Sequence, residues 1–164
     1  MSTKKIAFLG LSITLAMILS YIERQIPVMV AIPGVKMGLP NLIIVFMLYK
    51  VGWKETIVVS LVRILLVSLL FPNLQALLFS VSGATLSLAG MILLKKLNCF
   101  SSITVSIVGG ILHNIGQIIM AVFWTQTVQI VFYLPVLLAT GTLAGFVIGL
   151  LAGLIVKRLE KWSL

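Results

Sequence analysis

The segment YLPVLLATGTLAGFVIGLLAGLIV, residues 133–156, contains no charged side chain along its whole length. A helix needs about 20 mainly apolar residues to cross the hydrocarbon core of a bilayer. Glycines recur at every fourth position in this segment: Gly141, Gly145, Gly149 and Gly153. In lipid, small residues at this spacing form a face along which another helix can approach closely. The segment therefore predicts a membrane-spanning helix with a continuous packing face.

The rest of the chain has the same character. Of its 164 residues, 61% are hydrophobic and 9% are charged, whereas a soluble domain carries about 25% charged residues. We therefore predict an all-α polytopic membrane protein with six transmembrane helices, folded as a single membrane domain over residues 1–164. The predicted spans are residues 5–24, 38–51, 55–71, 74–95, 103–125 and 130–156.

The formal net charge of +9 is distributed as a topology signal. If the N-terminus is cytoplasmic, nine of the twelve Lys and Arg residues fall on the cytoplasmic side. They are Lys4, Lys5, Lys50, Lys54, Lys95, Lys96, Lys157, Arg158 and Lys161. We predict a multi-pass protein of the cell membrane with both termini in the cytoplasm. Membrane lipid is an expected partner, and nucleic acid is not, because no basic face carries interleaved aromatic residues.

Arg63 lies near the middle of the third predicted span. An ionised side chain at that depth costs about 2.5–3.5 kcal/mol or more and is rarely without a role. One interpretation is structural, with Arg63 paired to Glu23 or caged by backbone carbonyls. The other is functional, with Arg63 anchoring an anionic group of a ligand. The sequence leaves both open.

The segment PVMVAIPGVKMGLPN, residues 27–41, contains three prolines, so it cannot be a regular helix throughout. It is also too apolar for a solvated loop. Pro40 suits the first turn of a helix, whose free N–H groups would then face a cavity. Lys36 and Asn41 would lie beside that helix end. The alternative is a plain surface loop followed by a kinked span.

The fifth span carries three hydrogen-bonding side chains, His113, Asn114 and Gln117. Interhelical hydrogen bonds are one explanation for them. If they converge with the two preceding features, they form a pocket of net positive charge with Glu23 at its rim. Its predicted substrate-binding residues are Lys36, Asn41, Arg63, His113, Asn114, Gln117 and Glu23. Such a pocket suits a small molecule with an apolar body and an anionic or carbonyl-rich head.

The inventory of reactive residues argues against autonomous catalysis. The sequence has no aspartate, three glutamates, one cysteine and one histidine. Enzymes that process diphosphates through Mg²⁺ hold the metal with carboxylates, and this set cannot form such a cluster. There is also no P-loop motif. We predict no catalytic residues, no metal site and no cofactor.

Two stripes of small residues have two interpretations, packing within the chain or docking to another protein. The first stripe is Ser12, Ala16 and Ser20 in span one. The second is Gly141, Gly145 and Gly149 in span six.

Four stretches together resemble one known family. They are IPGVKMGLPN, SLVRILLVSLLF, GGILHNIGQ and YLPVLLATGTLAG, at residues 32–41, 60–71, 109–117 and 133–145. They are similar to the Gx transporter family, also labelled heptaprenyl diphosphate synthase component I. That family in turn resembles the substrate-binding S components of energy-coupling-factor (ECF) transporters.

The resemblance implies a six-helix protein that binds a vitamin-like or quinone-like compound. A scaffold subunit and two ATPases would be its partners, and the stripe on the first helix would dock the scaffold. The alternative implied by the older label is a noncatalytic membrane subunit of a heptaprenyl diphosphate synthase, or a role in quinone-precursor metabolism.

Overall fold

The computed structural model describes residues 2–26 and 37–159. Within these ranges the regular structure is entirely helical, which confirms the predicted all-α class. The helices are α1 (Thr3–Gln25), α2 (Asn41–Lys50), α3 (Trp53–Leu70), α4 (Leu74–Lys96), α5 (Ser102–Thr125) and α6 (Leu134–Arg158). A 3₁₀ helix, Val128–Tyr133, leads into α6.

Three of the long helices begin at polar residues that satisfy a free backbone N–H group. The side chains of Ser2, Asn73 and Ser101 accept hydrogen bonds from the first turns of α1, α4 and α5. Such caps compensate N–H groups that have no partner within the helix. These capping residues, and not hydrophobicity alone, therefore determine where the three helices start.

The short helix α2 lies at the centre of the bundle and contacts α1, α3, α5 and α6. Its residues Ile44, Val45, Met47 and Leu48 are at most 2% exposed. Ten residues of helix extend about 15 Å, roughly half of the hydrocarbon thickness. Beyond the N-terminus of α2, the longer helices therefore enclose space that α2 does not fill.

The six predicted spans are supported in part. Four helical segments are long and apolar enough to cross a membrane: α1, α4, α5 and the 3₁₀ helix joined to α6. Helix α2 is too short for this, and α3 carries three charged residues, Lys54, Glu55 and Arg63. The six helices follow the predicted order, but six clear transmembrane spans are not present in the described part of the chain.

The glycine stripe of α6 packs against α5 inside the chain. A Cβ added at Gly145 would lie 2.7 Å from the Cα of Ile107, and one at Gly149 would lie 2.6 Å from the Cα of Ile103. A Cβ added at Gly141 would likewise meet Gly110. These contacts need glycine on α6, and at Gly110–Gly141 on both helices. The interpretation of packing within the chain accounts for this face, and docking of another protein by Gly141, Gly145 and Gly149 stays a prediction.

The stripe on α1 also faces inward. Ser12, Ala16 and Ser20 are 3%, 0% and 7% exposed. Ser12 Oγ lies 3.3 Å from the sulfur of Met47 on α2, and Ser20 Oγ accepts a hydrogen bond from Arg63 on α3. Packing within the chain accounts for this stripe as well, and its docking to a scaffold subunit stays a prediction.

One end of the bundle collects the basic residues and is called the basic end below. It comprises the start of α1, the α2–α3 and α4–α5 connections and the last turn of α6. There, Lys5 pairs with Glu55, and Lys50 Nζ donates a hydrogen bond to the carbonyl of Leu159. Lys50 lies in the last turn of α2, where its charge is favourable to the negative end of that helix dipole.

Candidate functional site

A cavity of about 80 Å³ lies beyond the N-terminus of α2, on the side away from the basic end. Each of the six helices contributes to its wall. Five of the predicted binding residues line it: Glu23, Asn41, Arg63, His113 and Asn114. Gln117 is not among the lining residues, and Lys36 lies outside the described residues.

Arg63 reaches this cavity from α3. Its Nη1 donates a hydrogen bond to Ser20 Oγ on α1 at 3.2 Å. Its Nε is buried and has no hydrogen-bond partner. In the described ranges no carboxylate lies within 4 Å of this guanidinium, so a direct ion pair with Glu23 is not formed. Arg63 therefore keeps donor capacity that the fold itself does not use.

Glu23 fixes the start of α2 from the opposite wall. Its Oε1 accepts hydrogen bonds from the backbone N–H groups of Gly38 at 2.5 Å and Leu39 at 3.2 Å. Gly38 adopts φ +74°, which suits glycine, so these two donors converge on one oxygen. The carboxylate thereby occupies the positive end of α2 and ties α1 to it.

The formal charges of the described cavity wall cancel, and the predicted net positive charge stays a prediction. Among the described lining residues, the formally charged pair is Arg63 and Glu23, which balance each other. The prediction counted Lys36, which lies outside the described residues. The described wall thus offers one positive and one negative group together with uncharged polar side chains.

The three polar residues of α5 have different surroundings. Asn114 Nδ2 donates to the carbonyl of Leu137 on α6 at 2.5 Å, so Asn114 both joins two helices and borders the cavity. The ring of His113 packs over Gly83 of α4, where an added Cβ would lie 2.8 Å from Cε1 of the ring. Gln117 is 6% exposed, and its Oε1 has no hydrogen-bond partner.

Sequence reasoning missed three hydroxyls that line the cavity, those of Ser80, Ser87 and Ser106. Ser80 and Ser87 are seven residues apart, which places them on one face of α4. A periodic search for serine within the apolar runs would have found this pair. It would not have identified Gly83, because a glycine gives no sign of which side chain it makes room for.

The cavity is a site for hydrogen bonding and not for metal chemistry. Within the described residues no three His, Cys, Asp or Glu side chains are grouped closely enough to hold a metal ion. Apolar walls from Val45, Met91 and Ile148 complete the lining. A volume of about 80 Å³ corresponds to roughly two or three waters at liquid density, or a comparably small organic group.

The sequence was also compared with known proteins. A family model described as heptaprenyl diphosphate synthase component I matches residues 12–155. This range contains all the predicted binding residues and nearly all of the helical bundle. Neither the curated proteins nor the solved structures gave a match. By the extent of the family match, the chain belongs to the heptaprenyl diphosphate synthase component I family, the same family as the Gx transporters that the sequence motifs resemble.

Proposed function

We propose that the chain is a membrane-embedded substrate-binding subunit, similar to the S component of an ECF-type transporter. Its substrate would be a small compound with an anionic group and a quinone-like or vitamin-like body. The observation that carries this proposal is the cavity of about 80 Å³, which is called the central cavity below. Three helices bring polar side chains to its wall: Arg63, Glu23, His113 and Asn114.

The energetics of Arg63 support a binding role. Burying a guanidinium N–H without a partner costs about 1–3 kcal/mol, more for a charged group. A purely structural arginine would recover this cost by pairing every donor. The Nε of Arg63 is buried and has no hydrogen-bond partner among the described residues, so an acceptor on a ligand could form this bond.

The basic end supports a location in the cell membrane and an orientation of the bundle across it. Positive residues near helix ends accumulate on the cytoplasmic side of membrane proteins. We therefore place the basic end in the cytoplasm of a cell-membrane protein. The cavity, at the other end of α2, would then take its substrate from outside the cell.

An energy source would have to come from partner subunits, because the sequence contains no P-loop. We propose a scaffold subunit and two ATPases in this role. Since both small-residue stripes are buried, the scaffold would use a face that the chain leaves open. On α1 this face contains Ala7, Gly10 and Thr14, which are exposed and share one side of the helix. A Cβ added at Gly10 would meet nothing within 4 Å.

The family description favours a second candidate, a noncatalytic membrane subunit of heptaprenyl diphosphate synthase. In this role the Mg²⁺-dependent chemistry would belong to another subunit, because the chain has no aspartate. The cavity would then accommodate part of a quinone precursor and would not serve import.

Native mass spectrometry of the gently solubilised protein, purified from its own membrane, distinguishes the two. The transport proposal expects a retained small molecule together with a scaffold subunit and ATPases. Arg63→Met should lose the small molecule, whereas the control Arg158→Gln at the basic end should keep it. Recovery of a soluble prenyl synthase without a scaffold subunit or ATPases would favour the second candidate and contradict the first.

A further inference from the structure

A second, smaller cavity of about 30 Å³ lies between α3 and α4. It is bordered by the last turn of α3 and the first turn of α4, at the end of the bundle opposite the basic end. It shares Arg63 and Ser80 with the central cavity. These two residues therefore form the partition between the cavities, and Arg63 can serve a ligand on either side.

The charges around this second cavity are of one sign. Arg24 and Arg63 both line it, and no acidic side chain is among its described lining residues. The central cavity differs, because Glu23 opposes Arg63 there. Residues Asn73, Ala76 and Leu77 from the N-terminal end of α4 add the positive end of a helix dipole. Of the two cavities, the smaller one is the more favourable place for an anion.

Arg24 is exposed but held in position. Its guanidinium carbon lies 4.5 Å from the centroid of the Phe71 ring, in a cation–π contact. Phe71 in turn stacks on Tyr21, with ring centroids 6.1 Å apart. Arg24 thus lies at the mouth of the cavity as a preorganised hydrogen-bond donor. Arg63 lies at the inner wall, where its buried Nε has no partner among the described residues.

We propose that the cavity between α3 and α4 is a carboxylate-binding subsite, with Arg24 and Arg63 as its two cationic sides. The inference rests on the proposed function, since the body of the same ligand would lie past Ser80 in the central cavity. Two guanidinium groups that line one cavity can donate hydrogen bonds to the two coplanar oxygens of a carboxylate.

The size of the subsite selects the anion. A volume of about 30 Å³ equals the share of about one water molecule in the liquid, so the subsite takes one small group such as a carboxylate. A diphosphate is too large for it. The central cavity, of about 80 Å³, is smaller than a cavity of about 150 Å³ that holds benzene. The inferred ligand class is therefore a small monocarboxylate whose body is no larger than one ring.

The test is equilibrium dialysis of the full chain in lipid nanodiscs with radiolabelled benzoate, corrected for empty nanodiscs. Its neutral counterpart, benzyl alcohol, reports on the central cavity alone. We expect Arg24→Gln to weaken benzoate binding by about tenfold, the effect of losing one charge-assisted contact. Benzyl alcohol binding should not change, and Arg158→Gln should match the wild type for both probes. Excess inorganic pyrophosphate should fail to displace benzoate.

Three results would overturn the inference. One is benzoate binding that is unaffected by Arg24→Gln. Another is displacement of benzoate by pyrophosphate, which would indicate a site for larger phosphorylated anions. Either of these leaves the proposed function standing. The third is the absence of binding by both probes, which would remove the inference and, together with an empty native mass spectrum, the proposed function as well.

Discussion

Gly110→Ala is the substitution for which the structure makes its sharpest stability prediction. Gly110 on α5 faces Gly141 on α6, and both border the central cavity. A Cβ at Gly110 would lie 2.4 Å from the carbonyl oxygen of Gly141, where ordinary contacts begin at 3.4 Å. The atom in the way is backbone, so it cannot rotate aside as a side chain would. To accept alanine, the two helices must separate locally by about 1 Å.

The cost of this separation follows from known overpacking effects. Forcing an extra methyl group into a packed interface costs about 1–3 kcal/mol. Alanine recovers about 0.5–1 kcal/mol through its better helix propensity. We therefore expect a net loss of about 1–2 kcal/mol in the free energy of unfolding. The matched control is Gly10→Ala on α1, whose Cβ would meet nothing within 4 Å. Its stability should equal or slightly exceed that of the wild type.

Reversible unfolding of the micelle-solubilised protein by sodium dodecyl sulfate, followed by circular dichroism, measures both variants on one scale. The expected order of stability is Gly10→Ala, then wild type, then Gly110→Ala. If Gly110→Ala is as stable as Gly10→Ala, the close approach of α5 and α6 is wrong. In that case the cavity wall that depends on it is wrong too.

Two further substitutions test contacts at the cavity. Asn114→Ala removes the side chain that donates to the carbonyl of Leu137, and the same unfolding assay should show a loss of about 0.6–2 kcal/mol; an unchanged stability would mean that this bond is not made in the membrane protein. Glu23→Ala leaves the N–H groups of Gly38 and Leu39 without their acceptor, at a cost of about 1–3 kcal/mol. Glu23→Gln keeps an acceptor oxygen and should cost less than half as much, so equal losses for the two variants would contradict the capping role.

The helices were largely predictable from the sequence. Long apolar runs bounded by polar caps, such as Asn73 and Ser101, dictate helices in lipid almost without regard to tertiary structure. The helix in the second predicted span is shorter than the predicted range, because hydrophobicity extends beyond the residues that form helix. Pro40 and the left-handed turn at Gly38 delay the start of α2 until Asn41. An apolar pattern cannot show that such a helix is buried by protein and not by lipid.

Arg63, His113 and Asn114 could be singled out from the sequence as residues of one site. A polar group is costly in an apolar medium, and this cost is a local property of each residue. The packing partners of the small-residue stripes could not be predicted from the sequence. Spacing shows that a helix has a packing face, but not which partner covers that face. Ser20 illustrates this. Its neighbour is Arg63, more than forty positions away in the chain, and only the fold brings them together.

The most direct test of a polar recess within the bundle is the water accessibility of its wall. Cys99 is the sole cysteine, so Cys99→Ser gives a background in which a single cysteine can be placed. Ser80→Cys would lie in the wall shared by both cavities, and Leu143→Cys on the exposed apolar surface of α6, where Leu143 is 68% exposed. Thiols react as thiolates and therefore need water.

We expect the anionic reagent 2-sulfonatoethyl methanethiosulfonate to modify Ser80→Cys in lipid nanodiscs, faster than a cationic analogue does, and to leave Leu143→Cys unmodified. Equal inertness of the two cysteines would contradict a wet, anion-attracting cavity beside Arg63.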